Sequence, residues 1–137
     1  MITLTDYFAG YLGGNYPKEH IDNAQHLLAM VNALLTTAHD AGGIELPINP
    51  ATKTLVSGEK NGGWRPQSCP IGAPNSAHKV GQAVDVYDPA GDLDTWCMDN
   101  LDKLENVGLY LEDPGSTRGW SHLSTRAPHS GNRVFFP

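Results

Sequence analysis

The stretch NSAHKVGQAVDVYDP, residues 75–89, decides how the rest of the chain is understood. Side chains alternate along a strand, so over Gln82–Tyr87 the residues Val84 and Val86 share one face, while Ala83, Asp85 and Tyr87 share the other. An aspartate among apolar strand positions, seven residues after His78, has two explanations. Either a polar loop runs into an ordinary surface strand, or His78 and Asp85 hold one metal ion between them. Gly81 and Ala83 are small enough to let the chain fold back so that residues 78 and 85 meet.

Two later segments repeat the alternation. In Leu109–Glu112, Leu109 and Leu111 face one way and Tyr110 and Glu112 the other; in Gly119–Ser124, Ser121 and Leu123 oppose Trp120, His122 and Ser124. If the aliphatic faces all pack on helices, then Asp85, Glu112 and His122 collect on the opposite face. A solvated sheet face carries Lys, Thr, Glu and Arg in mixture. Asp, Glu and His flanked by aromatics and alanine is instead the composition of a cleft.

The helices are legible from spacing. Within residues 18–41, Ile21, Ala24, Leu28, Val31, Leu35 and Ala38 recur at intervals of three and four, one stripe of a long helix. Pro17 and Gly42–Gly43 supply its start and stop signals. His20, His26 and His39 lie on it and are expected to be solvated or packed. A short helix around Thr5–Leu12 precedes it. A second long helix, about 91–106, carries Leu93, Trp96, Cys97, Leu101 and Leu104 and ends at Gly108. Between the long helices, 44–76 is loop-like apart from TKTLVS (52–57), which has strand character. Trp64 and Arg65 argue against disorder there. RVFF closes the chain as an edge strand. This order predicts an α+β fold in a single domain over 1–137, with an antiparallel sheet covered by helices on one face.

Composition removes several function classes. The 137 residues carry a net charge of −6 and no Lys/Arg cluster, which argues against nucleic acid and anionic membrane surfaces as partners. No apolar run approaches the ~18 residues a membrane span needs. The N-terminus, MITLTDYFAGYLGG, lacks a basic n-region and a long apolar h-region, so synthesis in the cytoplasm without a secretory signal is expected. Cys69 and Cys97 form no CxxC pair and are expected as free thiols, Cys97 as a small buried hydrophobe.

Catalytic zinc takes three protein ligands, typically His nitrogen and carboxylate oxygen, and keeps a fourth position for water whose pKa falls to ~7. His78, Asp85 and His122 supply that count. On spacing alone, a hydrogen-bonded or solvated trio is the competing explanation.

The string Ser76-x-His78-x-x-Gly81-x-Ala83-x-Asp85 resembles the signature of the M15-type zinc peptidases. That group includes D-Ala-D-Ala carboxypeptidases and dipeptidases, phage L-alanyl-D-glutamate endolysins and the structurally related Hedgehog signalling domain. SGEKNGGWRP is similar to the family's Ser-Gly-aromatic-Arg segment, and GWSHL to its late Trp-x-His strand. The resemblance spans roughly 55–125 and looks like small phage-encoded members. It implies Zn2+ on His78, Asp85 and His122, with the zinc cleft on the uncovered sheet face. It also implies Arg65 as the group that favours the oxyanion. The implied reaction is hydrolysis of peptidoglycan stem peptides at the bacterial cell wall by a monomer, in phage lysis or as a virion component. Trp64, Tyr87, Tyr110 and Trp120 are expected in the cleft wall, and Ser76 either orients His78, contacts substrate or forms a turn.

One position departs from the family pattern. A glutamate usually stands three residues before the last histidine, as general base, and here that residue is Gly119. Glu112 is the substitute if 109–112 and 119–124 form a hairpin that sets it opposite Gly119, about 5 Å away. Asp113 and a base-free site are the alternatives. The same departure keeps open a zinc-containing, non-catalytic wall-peptide-binding or phage structural module of the same fold.

Overall fold

The computed structural model describes residues 1–137. A short helix, α1 (Leu4–Phe8), is capped by Thr3, whose side chain accepts the Asp6 N–H while Asp6 accepts the Thr3 N–H. The long helix α2 (Lys18–Gly42) ends at Gly43 in the left-handed conformation, with Ile44 N–H closing back on the Ala38 carbonyl. Its buried face includes Leu27 and Leu34 beside the expected Ala24, Leu28, Val31 and Ala38, whereas Ile21 and Leu35 are only half-buried. The apolar stripe is wider than a strict three-and-four count, as a helix facing a globular core requires.

The expected second long helix is two: α3 (Asp92–Asp99) and α4 (Leu101–Val107). The break falls at Asn100 (φ −137°, ψ 51°), whose side-chain amide donates to the Trp96 carbonyl at 2.8 Å. Asparagine bonds its own neighbourhood in preference to continuing a helix.

Four strands form the sheet: β1 (Ala83–Asp88), β2 (Tyr110–Glu112), β3 (Gly119–Ser124) and β4 (Val134–Phe135), in the order β1-β3-β2-β4. β3 runs antiparallel to both β1 and β2, but β4 lies parallel to β2, so the sheet is mixed and not purely antiparallel. Residues 125–133 carry the chain across the sheet before it returns, and Leu111 and Asp113 donate to Arg133 and Phe135. The expected strand at 52–57 is not a regular strand. Thr52 and Thr54 hydroxyls accept the N–H groups of Thr54 and Val56 and hold the chain in a turn. Val56 alone bridges to Val86, while Ser57 N–H and Tyr87 N–H bond across to Asp85 and Leu55, which closes the free edge of β1.

The core lies between the helices and the aliphatic sheet face. Val84, Val86, Leu111 and Leu123 are fully buried there with Leu27, Val31, Leu34, Leu93 and Leu104. Burying such side chains stabilises by roughly 1.5–3 kcal/mol each before entropy is subtracted. Apart from Asp88 and Ser121, which bond each other on the helix side, the polar members of the strands are left on the other face.

Candidate metal centre

His78 sits in a turn of 3-10 helix (Ala77–Val80) placed immediately before β1. Ser76 caps that turn by accepting the His78 backbone N–H at 3.3 Å, so of its three expected roles the turn-forming one is what the geometry shows. Gly81 ends it with φ +80°, and a Cβ there would stand 2.3 Å from the His20 carbonyl oxygen. Glycine thus lets the turn press against α2 and swing directly into β1.

His78 Nδ1 lies 2.8 Å from the Gly63 carbonyl oxygen. A carbonyl only accepts, so Nδ1 carries the hydrogen, and Nε2 is the nitrogen left either to offer a lone pair to a cation or to carry a second proton. That Nε2 is buried, has no hydrogen-bond partner, and lies 3.3 Å from Asp85 Oδ1. The NGGWR segment is held in register by Asp85 itself, whose N–H donates to Gly62 O at 2.7 Å. Gly63 also packs on the Tyr7 backbone, where a Cβ would be 2.0 Å from the Tyr7 oxygen.

The third member comes from β3. Asp85 and His122 are direct partners in the β1–β3 register, and His122 Nδ1 approaches Asp85 Oδ1 to 2.9 Å. The two histidine rings stand 5.1 Å apart, centroid to centroid. One ligand atom from each of His78, Asp85 and His122 lies within 4.8 Å of the others. Tetrahedral ligands ~2.0–2.1 Å from zinc stand about 3.3 Å from one another, close to the 3.3 and 2.9 Å that separate Asp85 Oδ1 from His78 Nε2 and His122 Nδ1. The donor chemistry fits as well. A lone pair on Nε2 facing a carboxylate oxygen needs a proton or a cation between them.

Arg65 completes the charge balance. Its Nη2 is 3.4 Å from Asp85 Oδ2, while Nε and Nη1 donate to the carbonyls of Asn61 (2.8 Å) and Ile71 (3.4 Å). Burial would raise the Asp85 pKa, but the His78 charge and the hydrogen bonds and charge of the two imidazoles outweigh it, so the carboxyl is held well below the usual range. For His122 burial pulls downward, and the Asp85 hydrogen bond and charge, helped by Glu112, push the imidazole above its ordinary value. Glu112 is itself raised, chiefly by burial, against the opposing charge of His122.

The β2–β3 register pairs Tyr110 with Ser124 and Leu111 with Leu123, which sets Glu112 level with His122 and not with Gly119 as expected. The connection across DPGSTR is longer than a tight hairpin because Pro114–Ser116 coil into a 3-10 turn. The outcome keeps Glu112 and His122 on one face, where both line the same cleft. Gly119 has φ +98°, a conformation a glutamate would adopt only with strain. Asp113 serves the turn: its carbonyl accepts Ser116 N–H.

The cleft has a volume of about 800 Å³, in the range of ligand sites. Arg65, Ser76, His78, Asp85, Glu112, Trp120 and His122 line it. Tyr87 shares the sheet face and pairs with Trp120 but does not line the cleft, and neither does Tyr110, whose ring lies under the Arg133 guanidinium. Trp64 is a correction: it is buried among Phe8, Tyr11 and Tyr16, and its indole N–H donates to His20 Nδ1 at 3.2 Å. It braces Arg65 from the core side. The wall also contains Arg126, His129, Phe135 and Phe136, which sequence reading left out. His129 is exposed on this wall. The late pair Phe135–Phe136 was a usable signal, but its position depends on the parallel return of β4. Both cysteines are free thiols; Cys97 is buried as expected, and Cys69 is buried as well.

No protein-family model, curated protein or solved structure matches the chain.

Proposed function

We propose that this chain is a zinc-dependent peptidase that hydrolyses peptide bonds in peptidoglycan stem peptides. The observation that carries the reading is the buried, unpartnered Nε2 of His78 facing Asp85 and His122 in the wall of an open cleft. His78, Asp85 and His122 would hold the ion, and a zinc ion there supplies Lewis acidity and an acidified water. Gly63 keeps the His78 hydrogen on Nδ1, away from the cluster, and Arg65 lies beside the second Asp85 oxygen. The Arg65 guanidinium, fixed by two carbonyls, favours negative charge developing on a substrate carbonyl oxygen nearby. Glu112, beside His122 and with a raised pKa, takes the proton of the attacking water and returns it to the leaving amine. The wall substrate, and action at the bacterial cell wall in phage lysis or from a virion, come from the motif resemblance.

A second reading is favoured by one observation. Glycine with φ +98° at position 119 suits a site that never carried the usual base, and a zinc module that grips wall peptides without cutting them would look the same there. Glu112→Gln separates the two. Zinc content by elemental analysis is expected to stay at one per chain while release of peptide fragments from digested muropeptides, followed by mass spectrometry, falls about 10²–10³-fold. Absence of zinc from the wild type overturns both readings; zinc without any hydrolysis by the wild type leaves the binding module.

A further inference from the structure

Arg126 is a cation in the cleft wall that forms no ion pair. Arg65, the other arginine there, is engaged with Asp85. The Arg126 backbone N–H donates to Ser124 Oγ at 3.0 Å, Nε to Gln82 Oε1 at 3.2 Å, and Nη1 to the Asn75 carbonyl at 2.6 Å. All three acceptors are neutral, and no ion pair in the protein involves Arg126. The guanidinium is therefore held in place without being neutralised, and Nη2 stays unengaged.

Its supports tie it to the metal cluster on two sides. Asn75 begins the segment that carries Ser76 and His78, and Arg126 follows His122 by four residues at the end of β3. At ~3.3 Å per residue, a substrate carbonyl at the cluster and a group at Arg126 are separated by on the order of 10 Å, roughly two to three residues of extended peptide. A planar fork with free N–H donors matches a carboxylate.

We infer that Arg126 is a substrate-binding residue that pairs with a carboxylate of the peptide, so that the cleft prefers acidic substrates. The carboxylate is either a C-terminus or an acidic side chain. This rests on the peptidase reading, and the test is built to separate the two. Zinc-loaded protein is given two matched peptide pairs, one differing as C-terminal acid against amide, the other as glutamate against glutamine. The wild type is expected to prefer the acid member of one pair about tenfold, chiefly through KM. The pair that responds identifies the source. Arg126→Ala should abolish the preference and Arg126→Lys restore part of it, while Arg118→Ala, an exposed arginine outside the cleft, should keep it. The proposal is overturned if the wild type shows no preference in either pair or if Arg126→Ala retains it. Should the zinc-loaded wild type cleave none of the peptides, the peptidase reading fails separately. Calorimetric titration of the same pairs then decides, with tighter acid binding lost in Arg126→Ala as the supporting result and equal binding as the overturning one.

Discussion

Asp85 and Asp88 stand three residues apart on β1, both buried, and their surroundings could hardly differ more. Asp88 points to the helix side. Its Oδ1 accepts Leu93 N–H at 3.2 Å, and its Oδ2 accepts Asp94 N–H and the Ser121 hydroxyl, each at 2.9 Å. Every partner brings a hydrogen, and the carboxylate caps the start of α3 while tying it to β3. Asp85 points to the cleft, where one oxygen meets two imidazole nitrogens and the other a guanidinium. One of those nitrogens has already committed its ring hydrogen elsewhere. A buried carboxylate surrounded by donors is structural; one that faces a second lone pair asks for a cation.

The contrast breaks most visibly if both aspartates are replaced. Asp85→Ala should lose zinc and at least about 10³-fold in hydrolysis, because one of three ligands is gone and Arg65 is left buried without its partner. Asp88→Ala should keep zinc and cost about 2–3 kcal/mol in denaturant unfolding, the penalty of leaving buried donors unsatisfied. Equal zinc loss in both variants would erase the distinction.

The pH dependence sharpens it next. In the metal-free protein, the raised His122 pKa gives stability that is complete below about pH 6.5 and fades as pH rises through the higher folded value. The lowered Asp85 pKa gives stability present above about pH 4 and lost as pH falls through the folded value. Zinc must displace the His122 proton, so its binding should tighten over the range where the proton's contribution fades. Melting with chelator and with zinc, from about pH 5 to about pH 9, should show the first Tm falling and the zinc increment growing. A zinc increment flat with pH would remove His122 from the ligand set.

The smallest effect belongs to Asp94, beside Asp88. It is buried, its Oδ1 has no partner, and burial, aided by the charges of Asp88 and Asp113, pushes its carboxyl up to about 6. A folded pKa above the unfolded one means stability falls as pH rises from about 4 to about 6 and stays lower beyond. Asp94→Asn should therefore gain about 1 kcal/mol at neutral pH and nothing at about pH 3. No gain at neutral pH would mean that the free oxygen is satisfied in solution.

Much of this was legible before folding because it depends on local periodicity. α2, the β1 and β3 boundaries within a residue or so, and the face shared by Asp85, Glu112 and His122 all follow from where apolar side chains recur. What failed did so where side chains bond the nearby backbone or where packing alone decides. The Thr52–Thr54 side chains diverted a strand-like segment, and Asn100 divided a helix whose apolar pattern runs straight through the break. An aromatic next to Arg65 looked like cleft wall but proved to be core, since only packing tells which side of a loop is inside.

The chain's own order of residues, then, determined which side chains are available for the site and which face of each strand they occupy, because alternation is a property of the backbone. The tertiary structure alone decided the pairing that matters: a Gly63 carbonyl turning His78 toward Asp85, Glu112 level with His122, and Arg126 brought beside Asn75. Those contacts join residues far apart in sequence, and their register is set by how turns and helices pack, which no local pattern encodes.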